Sequence, residues 1–440
     1  MLLRFEVSNH RSILDPVELS MIAVDQDRAE VRYHANVDQS VVTVAGIYGP
    51  NASGKSNVIA AIRWLSDAVA TSMRGWEDSV PRQSCKFGGG PQETSYFEIE
   101  MMIEGIRHEY QLEVDDERII YEALYEYPVR RRRMLFERDH SSIKFQRGIG
   151  DVTKTRELIT ARTLILSAAR KYEHPAISRF ASKLVSIRFM GEPFGQSFYS
   201  RHDTMPRRIL GRNFTNRWFQ DGTGESVNEN EQSSRRKRAL ALLQLADLGI
   251  DDVQFEEEQP IAVRANGEEV ALAPRQRVKL LHKTENGALP FDMSEESAGT
   301  RTWYRLIGPT LSALESGAIL LFDELDASLH PVLSAKLIEL FQNNATNPAG
   351  AQLIFTSHDT NLLNHLNRDE VWFTGKTAFG TTKLTALAEF GGDKVRRSQN
   401  LERSYLQGRF GFLPEPSRAL VIEAIESTIN TADMLGRREE

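Results

Sequence analysis

The chain has 440 residues, 40% hydrophobic and 26% charged, with 54 Lys plus Arg against 61 Asp plus Glu and a formal net charge of -7. That composition excludes a disordered chain and suits one large core, or one domain carrying a sizeable insertion. The mild acidic excess excludes a surface coated in nucleic-acid-binding charge, while leaving room for a local basic groove.

A single cysteine, Cys85, rules out an intrachain disulfide framework and argues against a thiolate metal site. The opening MLLRFEVSNHRS turns polar within a few residues, so no signal peptide is expected. The apolar runs 41–47 and 318–322 are too short to span a bilayer. A cytoplasmic location without membrane contact is the expectation.

In chain order, 2–7 reads as a strand, followed by the polar turn Asn9-His10-Arg11-Ser12. A second strand over 41–47 runs into a Gly/Pro/Asn loop, after which Val58, Ile59, Ile62, Leu65 and Val69 recur at helical spacing. Residues 94–128 alternate apolar and polar positions, as in Tyr96-Phe97-Glu98-Ile99-Glu100, and predict an antiparallel sheet with one face solvated. The stretch 152–250 is mostly helical in pattern, with Leu158, Ile159, Leu164, Ile165 and Ala168, and is broken by the polar, glycine-bearing loop 220–234. The acidic run Glu256-Glu257-Glu258 and a short strand over 278–281 lead to a compact block over 294–376. That block reads as helix, strand (Ile319–Phe322), a helix with Leu333, Leu337, Ile338 and Phe341, and a strand over 352–355. An interrupted helical segment from Leu384 and a polar tail, 437–440, close the chain. There is no internal repeat and no long heptad run.

Gly49-Pro50-Asn51-Ala52-Ser53-Gly54-Lys55-Ser56, continued by Asn57, fits the phosphate-loop pattern in full. Its glycines let successive backbone N–H groups turn inward around a β-phosphate, and the following helix aims its positive end at the same point. Lys55 is expected at the β- and γ-phosphates of ATP and Ser56 at Mg²⁺. The apolar strand Ile319–Phe322 ends in Asp323 and Glu324. This suits Asp323 to the metal side of the phosphates and Glu324 to polarising the attacking water. A charged end on an ordinary core strand is the plainer reading.

Asp323-Glu324 followed by Leu325-Asp326-Ala327-Ser328-Leu329-His330-Pro331 resembles the Walker B and D-loop of ABC/SMC-type ATPases. The resemblance implies that Glu324 is the catalytic base and that the next loop crosses a dimer interface. Ser294-Glu295-Glu296-Ser297-Ala298-Gly299-Thr300 is similar to a degenerate signature motif, in which Ser297, Gly299 and Thr300 would meet the γ-phosphate of ATP held by a second copy. The alternative is a local helix cap, which Ser297 or Thr300 also supplies. His358, after Thr356-Ser357, matches the switch histidine, which implies a γ-phosphate sensor. Gln83 and Gln92 are the candidates for a Q-loop glutamine.

The fold expected is therefore α/β: an ABC-ATPase head of P-loop NTPase type, with an antiparallel β lobe and a mainly helical insertion. Residues 1–130 would form the first half of the head, 131–275 the insertion, 276–380 the second half, and 381–440 a C-terminal helical segment.

A narrower resemblance rests on Phe5-Glu6-Val7-Ser8-Asn9-His10-Arg11-Ser12, Asn51 in the phosphate loop, the segment 325–331, and Tyr405-Leu406-Gln407-Gly408-Arg409-Phe410-Gly411-Phe412-Leu413-Pro414. These look like bacterial ATPases of abortive infection and phage defence, such as the PARIS-system ATPase and the abortive-infection L-type and OLD-like ATPases. The resemblance implies an ATP-sandwiched, head-to-tail dimer of this chain with itself, with a larger ring of such dimers as the alternative assembly. It also implies an effector nuclease of TOPRIM-like type encoded nearby and a phage protein as trigger. The chain itself has no readable nuclease domain or further metal cluster.

DNA is a candidate partner through Arg130-Arg131-Arg132-Arg133 and Arg235-Arg236-Lys237-Arg238, with Arg201, Arg207, Arg208, Arg212 and Arg217 between them. Tyr199, Phe214, Trp218 and Phe219 would be stacking aromatics there, although core packing and a solvated or protein-binding surface are the blander readings. The rival function is an SMC-like DNA-repair or DNA-processing ATPase. A third is an assembly clamp that hydrolyses ATP slowly.

Overall fold

A computed structural model of the protein describes residues 1–129, 131–146, 157–170, 175–191, 212–220, 229–259, 261–263, 269–271, 275–327, 329–390 and 400–412. Its centre is a six-stranded sheet in the order Arg188–Met190, Ile319–Phe322, Gln352–Thr356, Val44–Tyr48, Val371–Lys376, Thr382–Ala386. The first five strands are parallel and the last is antiparallel. The central strands are continuously apolar because both faces are covered. Ile319, Leu321 and Ile354 point into one core, and Leu320, Phe322, Leu353 and Phe355 into the other.

The first core is closed by the helix Lys55–Gly75 and by a seven-stranded antiparallel sheet. That sheet runs Ser142–Phe145, Arg133–Asp139, Ile119–Tyr127, Ile106–Val114, Ser95–Ile103, Leu2–Ser8, Val17–Ser20. Its alternation is the one read from the sequence: Phe97, Ile99, Leu112 and Leu124 lie inside, while Tyr96, Glu98 and Gln111 form a polar face. The opposite core is closed by the helices Ala298–Ser316 and Pro331–Gln342.

Several expectations are redrawn. The predicted strand over 41–47 is two strands, Gln39–Val41 and Val44–Tyr48, belonging to different sheets. Two strands continue the antiparallel sheet past residue 130, and Arg188–Met190 adds an edge to the parallel sheet. The described part of 131–275 is thus mixed: the helices Ile165–Ala169, Pro175–Val185, Arg212–Phe219 and Glu229–Ala246 alternate with strands such as Ile250–Glu258. Phe214 to Phe219 show why the helical pattern there is a packing signal: Trp218 and Phe219 are buried, and Phe219 stacks on Tyr304.

Five residues of the two basic runs pair with acids on other elements of the chain. Arg132 pairs with Glu109 and lies over the Tyr125 ring, and Arg133 pairs with Glu126. Arg235 and Arg238 reach Glu315, and Arg236 reaches Asp252. Arg130, Tyr199, Arg201, Arg207, Arg208, the loop core 221–228 and the tail 437–440 lie outside the described residues. The C-terminal aromatic segment docks on the strand Val371–Lys376, where Phe373 stacks against Tyr405, Phe410 and Phe412; Leu413 and Pro414 lie outside the described residues. No described helix is long and apolar enough to cross a membrane.

The turn before Val371–Lys376 carries a buried ionic knot. Arg28 faces Asp369 at 2.8 Å and Glu370 at 3.7 Å, and Glu370 Oε2 accepts from the Asn367 backbone N–H at 2.7 Å and from Gln342 at 3.0 Å. Burial outweighs these partners and pushes the Glu370 carboxyl up to about 7. A raised folded-state pKa means that the stabilisation from holding the proton is full below the unfolded value and fades as pH rises through about 7. We expect the thermal midpoint to fall between pH 5 and 8 with a contribution on the order of 3 kcal/mol from this group. Glu370→Gln should flatten that slope in unfolding scans; an unchanged slope would assign the dependence elsewhere.

Candidate nucleotide site

Parallel sheets collect ligands at the carboxyl ends of their strands, and three such ends meet here. The phosphate loop follows Val44–Tyr48, Asp323 and Glu324 follow Ile319–Phe322, and His358 follows Gln352–Thr356. Because Gln352–Thr356 lies between the other two strands, its end stands between lysine and carboxylates. A cleft of about 800 Å³ opens there, lined by Ser12, Asn51 to Asn57, Glu324, His358 and Lys376.

The loop's shape depends on glycine at two positions. Gly49 and Gly54 have φ of 148° and 107°. A Cβ on them would come within 2.3 Å of the Thr374 carbonyl oxygen and 2.1 Å of Thr382 Oγ1. These threonines brace the loop from behind: Thr382 donates to the Ser53 carbonyl at 2.9 Å, and Thr374 Oγ1 lies 2.5 Å from Ser53 Oγ. Ser12 joins the same lattice, 2.7 Å from Thr382 Oγ1, and accepts from Asn57 Nδ2 at 2.6 Å.

Lys55 Nζ donates to the Gly49 and Pro50 carbonyls at 2.9 and 3.2 Å and lies 3.3 Å from His358 Nδ1. Burial lowers its pKa, against the opposing pull of Asp323, Glu324 and Asp326. Asp323 is fully buried, and its pKa is raised by that burial. Its Oδ1 accepts from Ser56 Oγ at 3.0 Å and from Thr356 Oγ1 at 2.6 Å, whereas Oδ2 has no hydrogen-bond partner among the described residues. A buried carboxylate oxygen left unmatched beside a serine hydroxyl is a donor set that fits Mg²⁺: hard oxygen ligands, one carboxylate, and room for phosphate. Among the described residues no group of three or more His, Cys, Asp or Glu offers a richer metal site.

Glu324 lines the cleft with φ of 56°, in the left-handed region that ordinary residues avoid. His358 receives a fixed backbone direction from Asp326, whose Oδ1 accepts its N–H at 3.1 Å.

The signature residues stand apart from this cleft. Ser297 caps the helix Ala298–Ser316, accepting from the Thr300 N–H at 3.0 Å, with the two hydroxyls 2.9 Å apart. The helix-cap role is therefore present, and Ser297, Gly299 and Thr300 do not line the cleft of their own chain. Gln83 instead holds Arg11, accepting from Nε at 2.6 Å, and Gln92 is exposed; neither lines the cleft. Ser328 lies outside the described residues. Ser12, Thr356, Thr374, Lys376 and Thr382 were missed by sequence reasoning. No local pattern marks them, because strand pairing brings them in; only the turn carrying Ser12 stood out.

Residues 44–364 match the protein family described as "AAA domain, putative AbiEii toxin, Type IV TA system". The chain belongs to that family. As a member of this AAA-domain family it is an ATP-binding protein of a nucleotide-hydrolysing class associated with toxin–antitoxin and abortive-infection systems. Among proteins of curated function, none matches the sequence. A solved structure of the SmcHead bound to the C-winged helix domain of ScpA is similar at 12% identity, covering 88% of this chain and 97% of that chain with a TM-score of 0.42.

The unmatched Asp323 oxygen gives a direct test on the AAA-domain protein. Asp323→Asn keeps the shape and removes a buried charge, so the nucleotide-free variant should be as stable as the wild type or more so, by up to about 1–3 kcal/mol. The extra thermal stabilisation that Mg²⁺ adds to bound ATP should vanish. A variant that is weakened without nucleotide yet still responds to Mg²⁺ would contradict the assignment.

Proposed function

We propose that the protein is an ATP-dependent sensor or scaffold ATPase of a bacterial anti-phage defence system. Two copies close head to tail around two ATP molecules and control a toxic effector, a TOPRIM-like nuclease encoded nearby. The observation that carries the ATPase part is the convergence of Lys55, Ser56, Glu324 and His358 on one cleft, with the half-satisfied Asp323 buried directly behind Ser56.

The reaction is ATP plus water to ADP plus phosphate. The backbone N–H groups of 49–57 and the Lys55 ammonium bind the β- and γ-phosphates. Ser56 and Asp323 would hold Mg²⁺, which supplies charge neutralisation at the phosphate oxygens when bound. Glu324 orients the attacking water and accepts its proton, and His358 contacts the γ-phosphate. Support for dimer closure comes from Ser297, Gly299 and Thr300, which sit at the start of a helix outside their own cleft, with Ser297 and Thr300 already joined to each other in the helix cap. ATP then binds the closed state more tightly than ADP does, and hydrolysis releases it. Family membership supports the defence setting. The effector type rests on the resemblance of 5–12 and 405–414 to defence ATPases. The basic runs are largely engaged in ion pairs, which favours a protein partner over DNA.

The test is the native mass of the Glu324→Gln protein, expressed with its neighbouring genes and purified in ATP and Mg²⁺. Turnover should fall by about 10²–10⁴-fold, the usual contribution of a general base. The protein should accumulate as a nucleotide-bound dimer, or a multiple of it, that retains a second gene product. A bare dimer carrying nucleic acid would favour a DNA-processing ATPase, and a monomer would sink the nucleotide sandwich.

A further inference from the structure

The strand between the phosphate-loop strand and the carboxylate strand ends in Thr356, which no nucleotide-binding pattern singles out. Its side chain is fully buried. The hydroxyl donates to Asp323 Oδ1 at 2.6 Å and accepts the Glu324 backbone N–H at 2.8 Å. Its carbonyl accepts the Leu325 N–H at 3.0 Å. One residue thus grips three successive residues of the neighbouring strand end.

We propose that Thr356 is a positioning residue for ATP hydrolysis, setting the Asp323 carboxylate and the backbone of Glu324 with a single hydroxyl. The inference rests on the hydrolytic reading of this cleft.

Two physical requirements converge on it. Asp323 has two oxygens, and the donors Thr356 and Ser56 both fall on Oδ1. The carboxylate is thereby held in one orientation with Oδ2 uncommitted. A donor that holds a metal-binding carboxylate from behind fixes its direction and tunes its affinity. Glu324 has a different need. A non-glycine residue at φ 56° persists only where its surroundings over-determine it. The Glu324 N–H to Thr356 Oγ1 bond and the Leu325 N–H to Thr356 carbonyl bond bracket that residue on both sides. The turn is completed by the Ala327 N–H on the Glu324 carbonyl at 3.1 Å. A hydroxyl meets both needs because it donates and accepts at once. Valine matches the volume and supplies neither bond; serine supplies both.

The experiment compares wild type, Thr356→Val and Thr356→Ser as full-length proteins, in two assays. The first is steady-state ATPase activity across a Mg²⁺ titration. The second, without turnover, follows the thermal midpoint of the ADP-bound protein as Mg²⁺ is added. In Thr356→Val, kcat should fall about 10–100-fold and the half-saturating Mg²⁺ concentration should rise comparably in both assays. ADP affinity in EDTA should stay within about twofold, since the phosphate loop is untouched, and Thr356→Ser should recover to within about threefold of wild type. Wild-type kcat and Mg²⁺ response in Thr356→Val would overturn the proposal. So would a loss that serine does not rescue. A wild-type protein that binds ATP without turning it over would instead refute the hydrolytic reading. The non-turnover Mg²⁺ titration would still decide whether Thr356 holds Asp323.

Discussion

Asp323 is a carboxylate buried at the end of an apolar strand, and much of the surrounding architecture exists to make that position tolerable. An ionised group out of water is costly unless donors surround it. Here two hydroxyls satisfy one oxygen, and no group among the described residues satisfies the other. The nucleotide-free protein therefore holds an unsatisfied electrostatic demand at the place where phosphate and cation are expected to arrive. Lys55, drawn onto the carbonyls of its own loop, is the complementary case: a cation parked on weak acceptors. Ligand binding that relieved both would be favoured twice over.

The sheet order gives this arrangement its rigidity. Placing Gln352–Thr356 between the phosphate-loop and carboxylate strands fixes their spacing through backbone ladders on both sides. Behind the loop, the threonines of the last two strands press against its glycines so closely that a methyl group would not fit. On the far side, Arg188–Met190 extends the same ladder, and the Met190 carbonyl accepts the Asp323 N–H at 2.9 Å. Each functional group thus hangs from backbone hydrogen bonds rather than from a mobile side-chain arrangement.

What was legible in the sequence was what is contiguous. The phosphate loop and the strand ending in Asp323-Glu324 announce themselves because their chemistry is packed into eight or nine adjacent residues. The β lobe was readable through its period of two, although the pattern gave no reason to carry it past residue 130, where Leu135 and Phe136 continue the buried face. Thr356, Thr374 and Thr382 were invisible because a threonine in a strand is an ordinary choice; only pairing between distant segments brings Thr356 to the carboxylate strand end and Thr374 and Thr382 to the phosphate loop. Arginine runs are ambiguous in sequence for the same reason. Charge can be counted from sequence, but the acids that neutralise Arg132, Arg236 and Arg238 come from other elements. Ser297 and Thr300 carried two readings, and the cap is present whatever a second copy does with them.

The first strand bears on how the protein comes to exist. Leu2 bonds through both its N–H and its carbonyl to the side chain of Gln352, at 2.5 and 2.9 Å, and Gln352 also donates to Val42. During synthesis, a nascent chain that has released its phosphate loop from the ribosome still lacks every strand that would flank Val44–Tyr48 in the central sheet. Such long-range pairings make folding slow and leave early segments waiting for late ones. The half-made protein is therefore expected to need chaperone protection, and it cannot assemble the nucleotide cleft until more than four-fifths of these 440 residues, through Lys376, have been translated.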